Sequence, residues 1–111
     1  MTVTTDRSGD VVVIHAGPVR LTYPSLSDFA GSVTGELAAG ARKLVIDLAK
    51  VEYLDSAAVG CLMDLYRQAS TSGATIKLAG VQRRVETLLT LTGANQFYEI
   101  YPDSSSAIQS F

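Results

Sequence analysis

Tryptophan is absent from this chain of 111 residues, and cysteine and histidine occur once each, as Cys61 and His15. A single cysteine excludes an intrachain disulfide. One cysteine and one histidine also cannot supply the usual zinc ligand sets within one chain. The sequence therefore predicts no metal site and no cofactor. A chain of this length can bury one modest apolar core without help from a metal or a disulfide.

An excess of charge of one sign is also lacking, because nine Lys and Arg residues oppose eleven Asp and Glu residues. The net charge of −2 does not favour binding to nucleic acid or to an anionic membrane surface. The apolar runs are far too short to cross a bilayer, and the polar opening MTVTTDRSGD is not typical of a signal peptide. We therefore expect a cytoplasmic protein with no nucleic-acid partner and no direct membrane insertion.

The usual sequence motifs of enzyme active sites are missing too. The chain has neither a G-x-x-x-x-G-K-[ST] nor a G-x-G-x-x-G phosphate loop, and no G-x-S-x-G elbow. A triad of Ser56, His15 and Asp47 is available by composition, but a lone histidine on a β-branched strand is more often structural. Arg83 and Arg84 could bind phosphate, although a solvated helix face explains them more simply. The sequence predicts no catalytic residue.

The apolar pattern that is present predicts strands that alternate with helices. Strands are expected at 2–5, 11–17, 43–48, 75–80 and 97–101, and helices at 25–40, 56–71, 81–93 and from 102 onward. Such alternation implies parallel pairing through right-handed crossovers, and the opening hairpin around DRSGD (6–10) makes the sheet mixed. We predict a single α/β domain over residues 1–111, with the order β-β-α-β-α-β-α-β-α, about five strands in a mainly parallel sheet and about four helices.

The sharpest change of polarity lies in YLDSAAVGCL (53–62), where Asp55 and Ser56 separate a strand from a helix. Both residue types are favoured helix N-caps, so capping alone is one explanation. The position at the carboxyl edge of a parallel sheet, where ligands and partners bind, favours a functional role. A phosphoryl group on Ser56 would be tolerated at the positive end of the helix. It would add charge to a surface expected to consist of Ala57, Ala58, Val59 and Gly60.

The stretch LVIDLAKVEYLDSAAVGCL (44–62) resembles the signature of STAS domains, and specifically of bacterial anti-sigma factor antagonists. In that signature a strand ends in Asp-Leu, and a short loop leads to Asp-Ser-[Ser/Thr]-Gly-x-Gly at a helix start. Asp47-Leu48, Asp55, Ser56 and Gly60 match it, and the resemblance runs from about Arg42 to the C-terminus. The chain departs from the family pattern at Ala57, at Ala58 and at Thr22, which stands where an Asp is frequent.

The resemblance implies a non-enzymatic regulator of transcription. Such a protein, when unphosphorylated, binds an anti-sigma factor that is also a serine kinase and thereby frees the sigma factor. Phosphorylation of the serine, here Ser56, ends the binding, and a phosphatase restores it. The expected contact surface combines the helix start with the neighbouring turns: Thr22, Tyr23, Asp55, Ser56, Ala57, Ala58, Val59, Gly60, Gly80, Val81 and Gln82.

Two other hypotheses stay open at this point. The same fold serves as a non-switching adaptor subunit of ABC lipid-transport systems and in stress-signalling scaffolds, where Ser56 would only cap its helix. The other hypothesis is a small enzyme that uses Ser56, although neither a general base nor an oxyanion motif can be recognised in the sequence.

Overall fold

A five-stranded mixed sheet forms the centre of the computed structural model, which describes residues 3–17 and 19–111. In chain order the strands are β1 (Val3–Ser8), β2 (Val11–Ala16), β3 (Arg20–Leu21), β4 (Lys43–Asp47), β5 (Tyr53–Leu54), β6 (Thr75–Ala79) and β7 (Ile100–Tyr101). The order across the sheet is β1-β2-β4-β6-β7, in which only the β1–β2 pair is antiparallel. Strands β3 and β5 pair separately, in parallel.

Four α-helices connect or follow these strands: α1 (Leu26–Ala38), α2 (Ser56–Ser72), α3 (Arg83–Thr92) and α4 (Ser104–Gln109). A 3₁₀ turn, Tyr23–Ser25, precedes α1, and a second, Ala94–Gln96, follows α3. Helices α2 and α3 end at Gly73 and Gly93, whose φ angles of +74° and +80° only glycine adopts without strain. None of the helices in the described ranges combines the length and apolar character that crossing a membrane requires.

The two faces of the sheet bury very different amounts of apolar surface. Val12 and Ile14 of β2 point to the face that α1, α2 and α3 cover, where most of the buried residues collect. Their neighbours Val11 and Val13 point to the opposite face, where a small cluster packs around Ala107 of α4. The alternation along β2 therefore divides one strand between a large core and a small one, because successive side chains point to opposite faces.

The predicted α/β class, the five-stranded mixed sheet, the four helices and their order along the chain are confirmed. The predicted element order lacks the short strands β3 and β5, which pair outside the main sheet. The predicted turn at 6–10 is too long, since β1 continues to Ser8 and the chain reverses at Gly9 and Asp10. Residue 2 of the first predicted strand lies outside the described residues. The predicted strand 97–101 shortens to Ile100–Tyr101, because the preceding residues turn to bury Tyr98 beneath α2, where its hydroxyl donates to the Leu62 carbonyl.

Candidate functional site

The turn into α2 is organised by the carboxylate of Asp55. The extended backbone of Asp55 (φ −95°, ψ 176°) places it at the N-cap position, where Oδ1 accepts a hydrogen bond from the Ala58 N–H at 2.8 Å. Its second oxygen, Oδ2, accepts a hydrogen bond from the Tyr23 N–H at 3.0 Å. One carboxylate thus joins the start of α2 to a turn 32 residues earlier in the chain.

The short β3–β5 pair brings these two turns together. Arg20 pairs with Tyr53 and Leu21 pairs with Leu54, so the residues that follow each strand emerge side by side. Leu21 and Leu54 are both buried in the main core, which fixes the pair in place. The predicted proximity of Thr22 and Tyr23 to Asp55 therefore has a structural basis, although two-residue strands leave no periodic signal in the sequence.

Ser56 is the first residue of α2, and its side chain is exposed. The N-cap is Asp55, so the interpretation of Ser56 as the cap of this helix is wrong. Within residues 3–17 and 19–111 the Ser56 hydroxyl makes no hydrogen bond to another protein group. The hydroxyl is therefore accessible at the positively polarised end of a 17-residue helix.

Two of the residues predicted for the contact surface lie in the core instead. Ala58 is 0% exposed and Val59 is 6% exposed, and both belong to the main core cluster. The reason is helical spacing, because these positions share a face of α2 with buried Leu62. Ser56, Ala57 and Gly60 form the accessible part of the first turns. No described non-glycine residue has a positive φ, so the alanine at 58 occupies an unstrained helical conformation.

A groove between α1 and α2 extends the accessible surface away from Ser56. It has a volume of about 620 Å³, and Tyr23, Ala57, Gly60, Cys61 and Asp64 are among its lining residues. Tyr23 is 77% exposed and forms the most prominent aromatic group there. Neither Asp64 nor Cys61 was assigned to this surface from the sequence. The spacing 57, 60, 61, 64 is the helical signal that would have found both.

The Cys61 side chain is half-buried and only partly reachable from this groove. Burial raises the pKa of its thiol, and the nearby Asp64 carboxylate raises it further. A raised pKa keeps the sulfur protonated at neutral pH, so Cys61 lacks the thiolate character of a reactive nucleophile. Its role in the groove is to supply a small apolar contact.

Thr22 is half-buried, and its carbonyl accepts a hydrogen bond from the Ser25 N–H at 2.8 Å, which closes the turn before α1. The predicted surface residues Gly80, Val81 and Gln82 are partly exposed at the carboxyl end of β6. Their described contacts reach the loop after β4. The Gln82 amide donates to the Ala49 carbonyl at 2.8 Å. Gly80 has a φ of +68°, and a Cβ added there would lie only 3.0 Å from the Ala49 Cβ.

The alternative of a Ser56, His15 and Asp47 triad does not fit the geometry. His15 Nδ1 does lie 2.9 Å from Asp47 Oδ2, as a triad requires. However, His15 Nε2 lies 2.9 Å from Asp6 Oδ2, so carboxylates occupy both ring nitrogens. Neither nitrogen is hydrogen-bonded to Ser56 within the described residues, and the cluster joins β1, β2 and β4 as a structural feature.

Comparisons with known proteins identify the family and the fold. Over 70 residues, the chain is 30% identical to a Thermotoga maritima protein named as a candidate anti-sigma factor antagonist, which corresponds to 63% of this chain and 62% of that protein. The match thus spans less than two thirds of that relative. The crystal structure of a Thermotoga maritima protein described in the same way superposes with a TM-score of 0.87 at 27% identity, and covers 97% of this chain and 92% of the other.

The Bacillus cell fate determinant SpoIIAA, solved in its phosphorylated form, superposes with a TM-score of 0.75 over 98% of each chain. At 14% identity this likeness shows the fold alone. A family model described as the STAS domain matches residues 2–107, which include every strand and nearly every helix of the structure. With the sheet order, the Asp-Ser helix start and this match in agreement, the chain belongs to the STAS domain family.

Proposed function

We propose that this chain is an anti-sigma factor antagonist whose affinity for its partner is controlled by phosphorylation of Ser56. The unphosphorylated form binds an anti-sigma factor that has serine-kinase activity, and a phosphatase regenerates that form. The observation that carries the proposal is an exposed Ser56 hydroxyl at the first position of a helix that Asp55 already caps. Modification there leaves the helix cap in place.

The proposed switch follows from charge rather than from unfolding. A phosphoryl group carries about −1.5 to −2 charge at neutral pH, and a helix N-terminus accommodates an anion. On Ser56 that charge would stand next to the Asp55 carboxylate, at the rim of the groove that Tyr23, Ala57 and Gly60 help to line. A partner docked there would have to desolvate the phosphate, and a cost of about 3 kcal/mol weakens affinity more than a hundredfold.

Family membership and the named relatives support the partner class. The STAS match covers residues 2–107, and the Thermotoga relative is named for the role proposed here. SpoIIAA, which shares the fold, has been solved with and without phosphate. On this proposal the protein acts by binding, and the ATP chemistry belongs to the kinase.

Phosphate transfer to purified protein tests the first half of the proposal. The protein is incubated with ATP and an anti-sigma kinase from the same organism, and the modified residue is located by mass spectrometry. Ser104 is an internal control for the motif, because it also follows an aspartate cap at the first position of a helix, with a half-buried side chain. We expect phosphate on Ser56 and none on Ser104. Phosphate elsewhere, or none with every anti-sigma kinase of that organism, contradicts the proposal.

Binding measurements with the same kinase test the second half. Ser56→Ala should bind as the unmodified protein does but should not be released when ATP is added. Ser56→Asp should bind at least a hundredfold more weakly, whereas Ser104→Asp should bind normally. If both substitutions at Ser56 bind alike, the chain is instead a non-switching adaptor, whose partner is a transporter or a signalling scaffold.

A further inference from the structure

A second cavity lies apart from Ser56, between α3 and the β3–β5 pair. Its volume is about 400 Å³, within the range of roughly 300–1,000 Å³ that is usual for small-molecule sites. Val19, Tyr53 and Leu91, which line it, are three of the five large apolar or aromatic side chains exposed in the described part of the chain. Leu91 is 79% exposed. Such clustering of exposed apolar groups is typical of a binding site.

The charged groups around this cavity favour an anion. Arg20 and Arg84 line it together with Glu52, so two positive charges and one negative charge leave a net charge of +1. No carboxylate in residues 3–17 and 19–111 lies within ion-pair distance of either arginine. The Arg20 guanidinium carbon sits 4.4 Å from the centre of the Tyr53 ring, and this cation–π contact holds the charge against the cavity wall.

We infer that this cavity binds a small organic monoanion with an apolar body, such as a medium-chain carboxylate. A guanidinium group matches the two oxygens of a carboxylate, and Arg84 and Arg20 supply such groups. The apolar body would contact Leu88 and Leu91 of α3. Glu52 disfavours a second negative charge on the ligand, so a monoanion should bind better than a dianion of equal length.

The inference goes beyond the proposed switch and does not depend on it. The cavity involves none of Ser56, Ala57 or Gly60, and its ligand would bind protein that has never been phosphorylated. Because the two sites share none of these residues, a negative result for the cavity leaves the proposed phosphorylation switch intact, and the reverse also holds. The two sites are close in the chain, since Leu54 lines the cavity and Asp55 follows it directly.

An NMR titration of the isotopically labelled, unmodified protein tests the inference. Three eight-carbon probes are compared below the micelle concentration: octanoate, the neutral 1-octanol and the dianion suberate. We expect octanoate to bind about tenfold more tightly than either control, with the largest amide shifts at Tyr53, Leu88 and Leu91. Equal binding of octanol, absence of octanoate binding, or shifts centred elsewhere would overturn the inference.

Neighbouring arginines provide a matched pair of variants. Arg84→Gln removes a charge that lines the cavity, whereas Arg83→Gln removes the same charge one residue earlier, from a side chain outside the lining. Octanoate affinity should fall about tenfold in the first and less than twofold in the second. Both side chains are exposed, so both variants should fold. Equal losses of octanoate affinity in the two variants would show that only the overall charge of the protein matters, and would contradict the proposed site.

Sedimentation distinguishes a small ligand from a second copy of the chain. A dimer that forms with concentration and is dissociated by Leu91→Ser would assign this cavity to a self-association interface, which contradicts the inference. A monomer that binds octanoate, and loses that binding in Leu91→Ser, supports it.

Discussion

Helices α2 and α4 begin with the same two residues, Asp-Ser, but their surroundings differ, and α2 lines the groove that it forms with α1. Asp55 and Asp103 both have extended backbones, and each accepts a hydrogen bond from the N–H three residues later at 2.8 Å. Judged by local geometry, the two helix starts are equivalent. The motif by itself therefore specifies a cap and nothing more.

Their surroundings differ. Helix α2 has 17 residues and buries five of them in the main core, and its cap also holds the Tyr23 N–H. Helix α4 has six residues and buries only Ala107. Its cap, Asp103, accepts a second hydrogen bond from the Ser106 hydroxyl of the same helix. The comparison teaches that long-range contacts, rather than the Asp-Ser pair, distinguish Ser56 from Ser104.

The largest expected effect concerns how firmly each helix is anchored. Leu62→Ala empties a fully buried position of α2 and should lower the free energy of unfolding by about 2–5 kcal/mol. Ala107→Gly in α4 removes one methyl group and helix propensity, and should cost about 1 kcal/mol. Urea unfolding of both variants measures the difference. Equal losses would mean that α4 is as integral to the fold as α2.

The next effect concerns the surfaces that the two helices present. Gly60→Arg adds a long side chain to the exposed face of α2, where a new Cβ meets no atom within 4 Å. The variant should keep its melting temperature, since arginine favours a helix more than glycine does. Its affinity for the proposed anti-sigma partner should fall at least a hundredfold, by about 3 kcal/mol. Ser105→Arg, on the exposed side of α4, should leave the affinity unchanged; a similar loss there would contradict the assigned surface.

A smaller effect should separate the two roles of Asp55. Asp55→Ala removes both hydrogen bonds and should cost about 1–2 kcal/mol of stability. Asp55→Asn keeps an oxygen that can cap Ala58 but turns an NH₂ group towards the Tyr23 N–H. Amide hydrogen exchange should therefore accelerate at Tyr23 and Ala58 in Asp55→Ala, and mainly at Tyr23 in Asp55→Asn. Unchanged exchange at Tyr23 in both variants would show that the hydrogen bond between Asp55 and Tyr23 does not stabilise the two turns.

The smallest effect is a dependence of α4 on pH. The N–H and hydroxyl of Ser106 hold the pKa of Asp103 below its usual value of about 3.9. Because the folded state prefers the charged form, the stabilisation is present above the usual pKa and is lost as the pH falls through the lower, folded-state pKa. The Ser106 amide signal should follow this titration. Asp103→Asn, whose cap does not ionise, should abolish it; an unaltered titration in that variant would assign it to another group.

Sequence periodicity was sufficient for the larger elements. The β-branched run of β2 and the apolar stripe of α2 are strong local signals, and both elements lie where they were expected. The ends of elements were less accurate, as at 97–101, because burial of Tyr98 against α2 overrides strand propensity there. Strands β3 and β5 were not predicted, because a strand of two residues is too short to show an alternating pattern of apolar and polar residues.

The candidate site was predictable in part for the same reason. Ser56 and Asp55 follow from the motif, whereas the division between buried Val59 and accessible Gly60 requires the orientation of α2 in the core. Asp64 and the groove it lines arise only when α1 packs beside α2. The arginine-lined cavity likewise unites Arg20 and Arg84, which are far apart in the chain.

By itself, the order of residues determined an α/β domain with a serine at the start of its second long helix, because hydrophobic period and capping chemistry are local properties. The tertiary structure alone decided that Tyr23 lies beside Asp55 and which faces of the helices are open. Those outcomes depend on β3 pairing with β5 and on helices packing across the sheet. Contacts between residues distant in sequence set them, and no local pattern encodes such contacts.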